Sequence, residues 1–437
     1  MLQSISKSLA ALVVGVVLGG CHSNAQTAQS VEPLSEYHGL YTPSNTEAFQ
    51  KSMHTNHPDY DWGVWGHNLA KLVKDEATDD MYAIVDGKRS RKQFCFSSQS
   101  LYNKVREYVL DQYGWGTADY SERISIMPMD NKTACTCADC TARGNTSTNA
   151  TPAVTAFVER LAEEFPRHKF FTSAYHTTNT PPTTSLAANV GTFVSSIKLP
   201  MRVDFTKTEG YNEFVQNVKA WRKQCSRIYV WDYERNYDDY LSPFPCLLAM
   251  QARFRLYRDL QVQGVFVNGS GDDYSAFDDM QTYVLALLLD NPDTDVHESI
   301  ARYYREHYPQ TADLLTTYYW GLEQRAQSTN HLLPLYGSMQ EMCESYLDVQ
   351  EFVSFRSQLD KASKLTVGDE RKRLNALLTA LAYTQLEMYR TGLLAKDEET
   401  IGEMREILKG HSELKGMNNR DESGHSIDCL LYTSDAA

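Results

Sequence analysis

The sequence has no basic tract. Its 42 lysines and arginines stand against 56 aspartates and glutamates, a net charge of −14 over 437 residues, and no cluster of cations offers the footprint that a nucleic acid needs. Long hydrophobic runs are also missing. The one candidate, residues 9–18, is too short to span a bilayer, and nothing later in the chain approaches that length. The glycine-bearing stretch Asn268-Gly269-Ser270-Gly271 lacks the spacing of a phosphate loop. Cysteine is scarce but unevenly placed: of nine, Cys21 and Cys429 lie at the ends, and seven remain between. An odd number leaves at least one thiol outside any intrachain disulfide.

The two ends read as processing signals rather than as fold. Lys7 precedes the short apolar run, which ends in Leu18-Gly19-Gly20-Cys21. This resembles a bacterial lipobox and implies cleavage before Cys21, with lipidation of its thiol and new amino group. Residues 1–20 are then a lipoprotein signal and residues 21–36 a polar tether. The protein is expected to be exported and lipid-anchored to the cell envelope, on its periplasmic or surface face. The plainer alternative is a secretion signal with an incidental cysteine. At the other end, residues 429–437 resemble the translation of a sequencing adapter. They are set aside, and the natural chain is expected to continue.

Between these ends the pattern alternates. Short apolar, β-branched runs at 36–41, 61–65, 81–85, 93–96, 124–127, 169–174, 191–196, 227–231 and 264–267 read as strands, and Asp86-Gly87-Lys88 reads as a hairpin turn after the third of them. Helical periodicity recurs between them, most clearly over 100–112, where Leu101, Val105, Tyr108 and Val109 share a face. Strand–helix alternation with parallel-type runs predicts an α/β fold of the (β/α)8 barrel type over residues 37–310. After Pro292 the strands vanish. Helices are expected over 297–308, 312–326, 346–365 and 370–394, so residues 311–428 form an α-helical C-terminal region.

In such barrels the loops after strand carboxyl ends carry the chemistry, and here those tips are polar. They are Gly66-His67-Asn68, Asp130-Asn131, Asp232-Tyr233-Glu234-Arg235-Asn236, and Asn268. A capping aspartate at 130 and a surface Asp–Arg pair after 231 are the bland alternatives. Aromatics reach 11%, with 27 tyrosines and 6 tryptophans. These residues suit sugar-binding clefts as well as cores and interfaces. Cys135-x-Cys137-x-x-Cys140, with Cys95 as a fourth thiol, leaves three states open: bound zinc, disulfides, or reduced thiols.

As a set, Trp65-Gly66-His67-Asn68, Val85-Asp86-Gly87-Lys88, Cys95-Phe96-Ser97, Asp130-Asn131 with its three cysteines, Trp231-Asp232-Tyr233 with Asn236, Pro243-Phe244-Pro245 and Asn268-Gly269 resemble the family called domain of unknown function 4838. This family of TIM barrels is grouped with glycoside hydrolases. The resemblance implies a carbohydrate-facing cleft at the strand tips. By analogy the strand at 124 is the barrel's fourth, which in related sugar hydrolases usually ends in the acid, and the strand at 227 its seventh. Two departures stand out. Almost nothing before Tyr37 is left to supply a first barrel strand, so the barrel is expected to be incomplete there. Val267 also stands where a glutamate is expected.

Glycoside hydrolysis needs two carboxyl groups. The expected acid is Asp130 and its partner Asp232, with Glu234 in reserve. Trp65, His67, Asn68, Asn131, Trp231, Tyr233, Asn236 and Asn268 are expected to hold the sugar. No cofactor is implied beyond the zinc option. The expected partners are a carbohydrate and, through the anchor, a membrane. The rival expectations are a non-catalytic surface glycan-binding lipoprotein and a structural envelope protein.

Overall fold

The structure is a computed structural model and describes residues 34–73, 76–329, 331–428 and 431. The expected signal sequence, Cys21, most of the expected tether, and residues 429–437 apart from Leu431 lie outside the described residues.

Among the described residues there are eight strands: β1 (Tyr37–Tyr41), β2 (Tyr82–Val85), β3 (Lys88–Phe94), β4 (Arg123–Ser125), β5 (Lys169–Ala174), β6 (Val190–Ser195), β7 (Arg227–Tyr233) and β8 (Gly264–Asn268). Six of them form one sheet in the order β1-β8-β7-β6-β5-β4, and every pair in it is parallel. The sheet curls into a half-barrel, so that rings from β1, β5, β6, β7 and β8 meet in one cluster on its inner face. Within this sheet β4 is the second strand in chain order and β7 the fifth, not the fourth and seventh.

The expected strands at 81–85 and 93–96 leave the parallel sheet and form the separate antiparallel hairpin β2–β3. The cause is local. Asp86 and Gly87 both take left-handed backbone angles, φ 49° and 76°, which is the two-residue turn that folds a strand directly back. The expected strand at 61–65 is also not one. Residues Pro58–Asp61 are a helical turn, and the stretch makes isolated parallel pairs only, Gly39 with Asn56 and Val64 with Ile124. Residues 56–64 therefore cross the opening between the edge strands β1 and β4. They carry Trp62 into the inner cluster.

Period-two alternation sorts each strand. In β7, Tyr229 and Trp231 face the inner rings, while Ile228 and Val230 join the main core under the helices. Glycine appears where inner rings need room: a Cβ on Gly191 would lie 2.3 Å from the Phe171 ring. Helix Gln99–Tyr113 buries Leu101, Tyr102, Val105 and Val109 and is capped by Ser98, whose side chain accepts from Leu101 N.

The helices expected after Pro292 are present as Val296–His307, Ala312–Ser328, Val349–Ser363 and Gly368–Arg390. Their apolar faces share one continuous core with the outer face of the sheet. Among the described residues no helix is long and apolar enough to cross a membrane. A buried carboxylate joins the two parts: Glu323, on helix Ala312–Ser328, accepts from Leu247 N at 2.8 Å and Leu248 N at 3.1 Å. It thereby caps helix Leu247–Asp259, which covers the sheet.

Burial pushes the Glu323 carboxyl up to about 7, against the two amides that favour its charged form. The same cause raises Asp239 to about 7. For an acid whose folded-state pKa is raised, folded and unfolded chains both hold the proton at low pH, and the unfolded chain releases it first as pH rises. Stability from this source is full below about pH 4 and declines up to about pH 7. Thermal melts should therefore show a lower midpoint at pH 8 than at pH 5, by several degrees. Glu323→Gln should remove part of that difference, and an unchanged slope would show that Glu323 is not one of its sources.

Candidate functional site

The carboxyl ends of the parallel strands open into a cavity of about 490 Å³. Its floor is aromatic. Trp231 stands edge-on to Phe266 with ring centroids 4.5 Å apart, and Trp65 lies 6.3 Å from Trp231 and 5.0 Å from Tyr41. Trp65 is held in place by its own indole N–H, which donates to Asp59 Oδ1 at 2.7 Å. Gly66 permits the tight bend beside it: its φ is +62°, and a Cβ there would meet the Trp231 ring at 3.3 Å. His67 donates from Nδ1 to the Pro128 carbonyl at 2.6 Å, which leaves Nε2 as the acceptor in the neutral ring. Tyr233 and Ser195 share a hydroxyl–hydroxyl bond of 3.1 Å.

Among the described residues four carboxylates line the cavity: Asp130, Asp272, Asp273 and Glu422. Asp130, at the end of the β4 segment, is 3.4 Å from His176 Nε2, and its side chain is 60% exposed. Burial lowers the His176 pKa, with Asp130 pulling the other way and Lys132 and His67 adding to the fall. Asp273 is the more enclosed acid. Burial pushes its carboxyl up and Asp272 acts in the same direction, opposed by Asn419, whose amide donates to both oxygens at 3.1 and 3.2 Å. Glu422 accepts from Tyr336 at 2.8 Å. No lysine or arginine is among the described residues lining this cavity. A second cavity of about 440 Å³ shares Tyr175, Ser195 and Ile197 with the first and is lined also by Lys132, Lys198, Asn179 and Asn217.

Of the residues expected from the sequence, Asp130, Trp65, His67, Trp231, Tyr233 and Asn268 line the cavity. The rest are used elsewhere. Asp232 points away from it, toward the helices, because it alternates with Trp231. It is fully buried against Arg253, and it accepts from Ser196 at 2.5 Å and Tyr257 at 2.6 Å. Asp130 and Asp232 are therefore not brought together. Glu234 is buried against Arg235 at 3.1 Å, and Gly269 packs directly on its carboxyl. Asn236 exchanges two bonds with the Gly337 backbone. Asn68 donates to the Trp65 carbonyl at 2.7 Å, and Asn131 donates to the Lys92 carbonyl at 2.7 Å.

The family described as domain of unknown function 4838 (DUF4838) matches residues 22–320. The chain belongs to this family. No curated protein matches it at a significant level. The matched range holds all six parallel strands of this DUF4838 protein, together with Asp130, Asp272 and Asp273. Asn419, Glu422 and Tyr336 lie beyond it. Sequence reasoning missed these three because nothing local marks them. Asn419 and Glu422 are brought to the cavity by backbone pairing of their segment with the β7 and β8 loops, where Tyr240 N meets Arg420 O and Tyr274 N meets Gly416 O, each at 2.8 Å, and Tyr336 by the neighbouring bond from Tyr237 N to Leu335 O at 2.7 Å. Asp272 and Asp273 had a signal, the polar run after β8.

The four thiols of Cys95, Cys135, Cys137 and Cys140 also come together, outside this cavity. None of the seven described cysteines forms a disulfide.

Removing one partner of a fully buried ion pair strands the other charge, at about 3–5 kcal/mol. Asp232→Ala should lower the unfolding free energy in denaturant melts by that order. If the change is under about 1 kcal/mol, the Asp232–Arg253 pair is not the structural element described.

Proposed function

We propose that the cavity of this DUF4838 protein is a saccharide site. The observation that carries the reading is its lining: tryptophans and tyrosines packed edge-on and tilted on the floor, carboxylates, hydroxyls and an amide on the walls, and no lysine or arginine among the described lining residues. Sugar rings present flat C–H faces to aromatic rings and hydroxyl donors to carboxylates, whereas a phosphorylated ligand would call for arginine or lysine. The volume falls within the usual range for a small-ligand site. The adjoining second cavity leaves room for more than one sugar unit.

Glycoside hydrolysis is the second reading, favoured by one observation. Asp273 is a carboxyl held toward its protonated form by burial, and it shares the cavity with the open Asp130. Acid catalysis needs a carboxyl that keeps its proton near neutral pH, and base or nucleophile catalysis needs one that does not. On this reading Asp273 is the proton donor and Asp130 the partner. Asp232 takes no part.

Purified protein presented to a panel of neutral oligosaccharides should bind at least one of them by calorimetry. Trp231→Ala should weaken that binding at least tenfold by removing the stacking floor. Hydrolysis predicts that reducing ends appear with the wild type and fall by about 10² or more in Asp273→Asn and in Asp130→Asn. Binding without any release of reducing sugar would reduce the site to recognition. Failure of every neutral glycan to bind would overturn the saccharide reading itself.

Export and anchoring through Cys21 complete this reading. Labelled fatty acid should be incorporated into the full-length chain in a bacterial host and lost in Cys21→Ala. Equal labelling of the two would exclude Cys21 as the anchor.

A further inference from the structure

We propose that Cys95, Cys135, Cys137 and Cys140 bind one structural zinc ion. The four Sγ atoms lie within 4.8 Å of one another. Cys95 Sγ is 3.6 Å from that of Cys137 and 3.7 Å from that of Cys140. A disulfide would need about 2.05 Å. A tetrahedral ion with Zn–S bonds of about 2.3 Å sets neighbouring sulfurs about 3.8 Å apart, and the observed spacings are close to that value. Cys95, Cys135 and Cys140 are buried, and Cys137 is half-buried.

The backbone is arranged to receive thiolates. Ile84 N donates to Cys135 Sγ at 3.3 Å and Cys140 N to Cys137 Sγ at 3.4 Å, and such N–H···S bonds stabilise the charge left when the thiols release their protons. An all-thiolate donor set excludes magnesium and calcium, which take oxygen ligands. Four protein ligands leave no open position, so the ion is structural rather than catalytic.

The ion's place in the fold gives it a task. Cys95 follows β3, Cys135 and Cys137 sit in the loop that begins at Asp130, and Cys140 sits in the short helix Ala138–Ala142 that Cys137 caps. The same two segments are joined by Gln93, which donates to the Met129 carbonyl at 3.1 Å and accepts from Met129 N at 3.0 Å. Zinc would fasten the β2–β3 hairpin to the base of the wall that carries Asp130. This inference does not depend on what the cavity binds.

Full-length protein purified in reductant without chelator should carry about one zinc per chain by elemental analysis. Exchange with Co(II) should give intense visible bands and a thiolate-to-cobalt charge-transfer band, the signature of a tetrahedral sulfur site. Cys95→Ser and Cys137→Ser should each lower zinc retention at least tenfold after dialysis against a chelator, with the fold checked by circular dichroism. The wild-type metal content and cobalt spectrum decide the matter even if both variants fail to fold. Metal-free protein whose four thiols all react with a thiol reagent would overturn the proposal. So would a disulfide between any two of them in peptide mass spectra, or iron in place of zinc.

Discussion

Everything at the open end of this half-barrel rests on the ring of Trp62. It enters the curl of the sheet from residues 56–64 and meets Tyr37, Phe171, Phe193 and Tyr229 with centroid separations of 5.7, 4.9, 5.2 and 6.4 Å. A six-stranded parallel sheet has two edges whose backbone groups need partners. Here a crossing segment covers both with a few backbone bonds, and the aromatic plug provides the packing. The amide of Leu40 donates to Asn56 O at 3.0 Å on one side, and that of Ser125 donates to Val64 O at 2.8 Å on the other. The plug fills the interior up to the level of Trp65 and Trp231. What remains above it is the cavity, so the size and aromatic floor of the site follow from how the sheet is closed.

Behind the sheet the chemistry is reversed. The helix side of β7 holds a buried salt bridge, Asp232 with Arg253, and the segment just beyond β7 holds another, Glu234 with Arg235. Glu323 caps a covering helix from the C-terminal region. These charges lie out of reach of solvent and face groups of their own chain. Their surroundings are those of structural elements that tie strand, helix and C-terminal region into one core. The carboxylates that line the aromatic-floored cavity among the described residues are instead Asp130, Asp272, Asp273 and Glu422, and Glu422 comes from far along the chain.

Much of the architecture was legible from local signals. The runs at 169–174 and 227–231 are strands because β-branched and aromatic residues crowd them, and the helices after Pro292 follow from their apolar stripes. The Asp86-Gly87 turn was also legible, since left-handed backbone angles favour those residues. Less legible were the roles of individual polar tips. Asp232 and Tyr233 are neighbours in one strand, and both looked like site residues. One residue of register places Tyr233 on the cavity and Asp232 against a helix. A dense polar tip in sequence is therefore two populations in space. The cysteine motif lay between these cases: its spacing suggested a cluster, but only the approach of Cys95 from the hairpin completes four sulfurs.

The sequence alone determined the kind of most segments, the α/β alternation, the run of helices after Pro292 and the family, because these depend on neighbours within a turn or two of the chain. Tertiary structure alone decided which carboxylates share a cavity, which are buried against arginine, and how Asn419 and Glu422 reach the strands' open end. Those outcomes depend on sheet curvature, on strand register and on contacts between residues more than a hundred positions apart, and no local pattern encodes them.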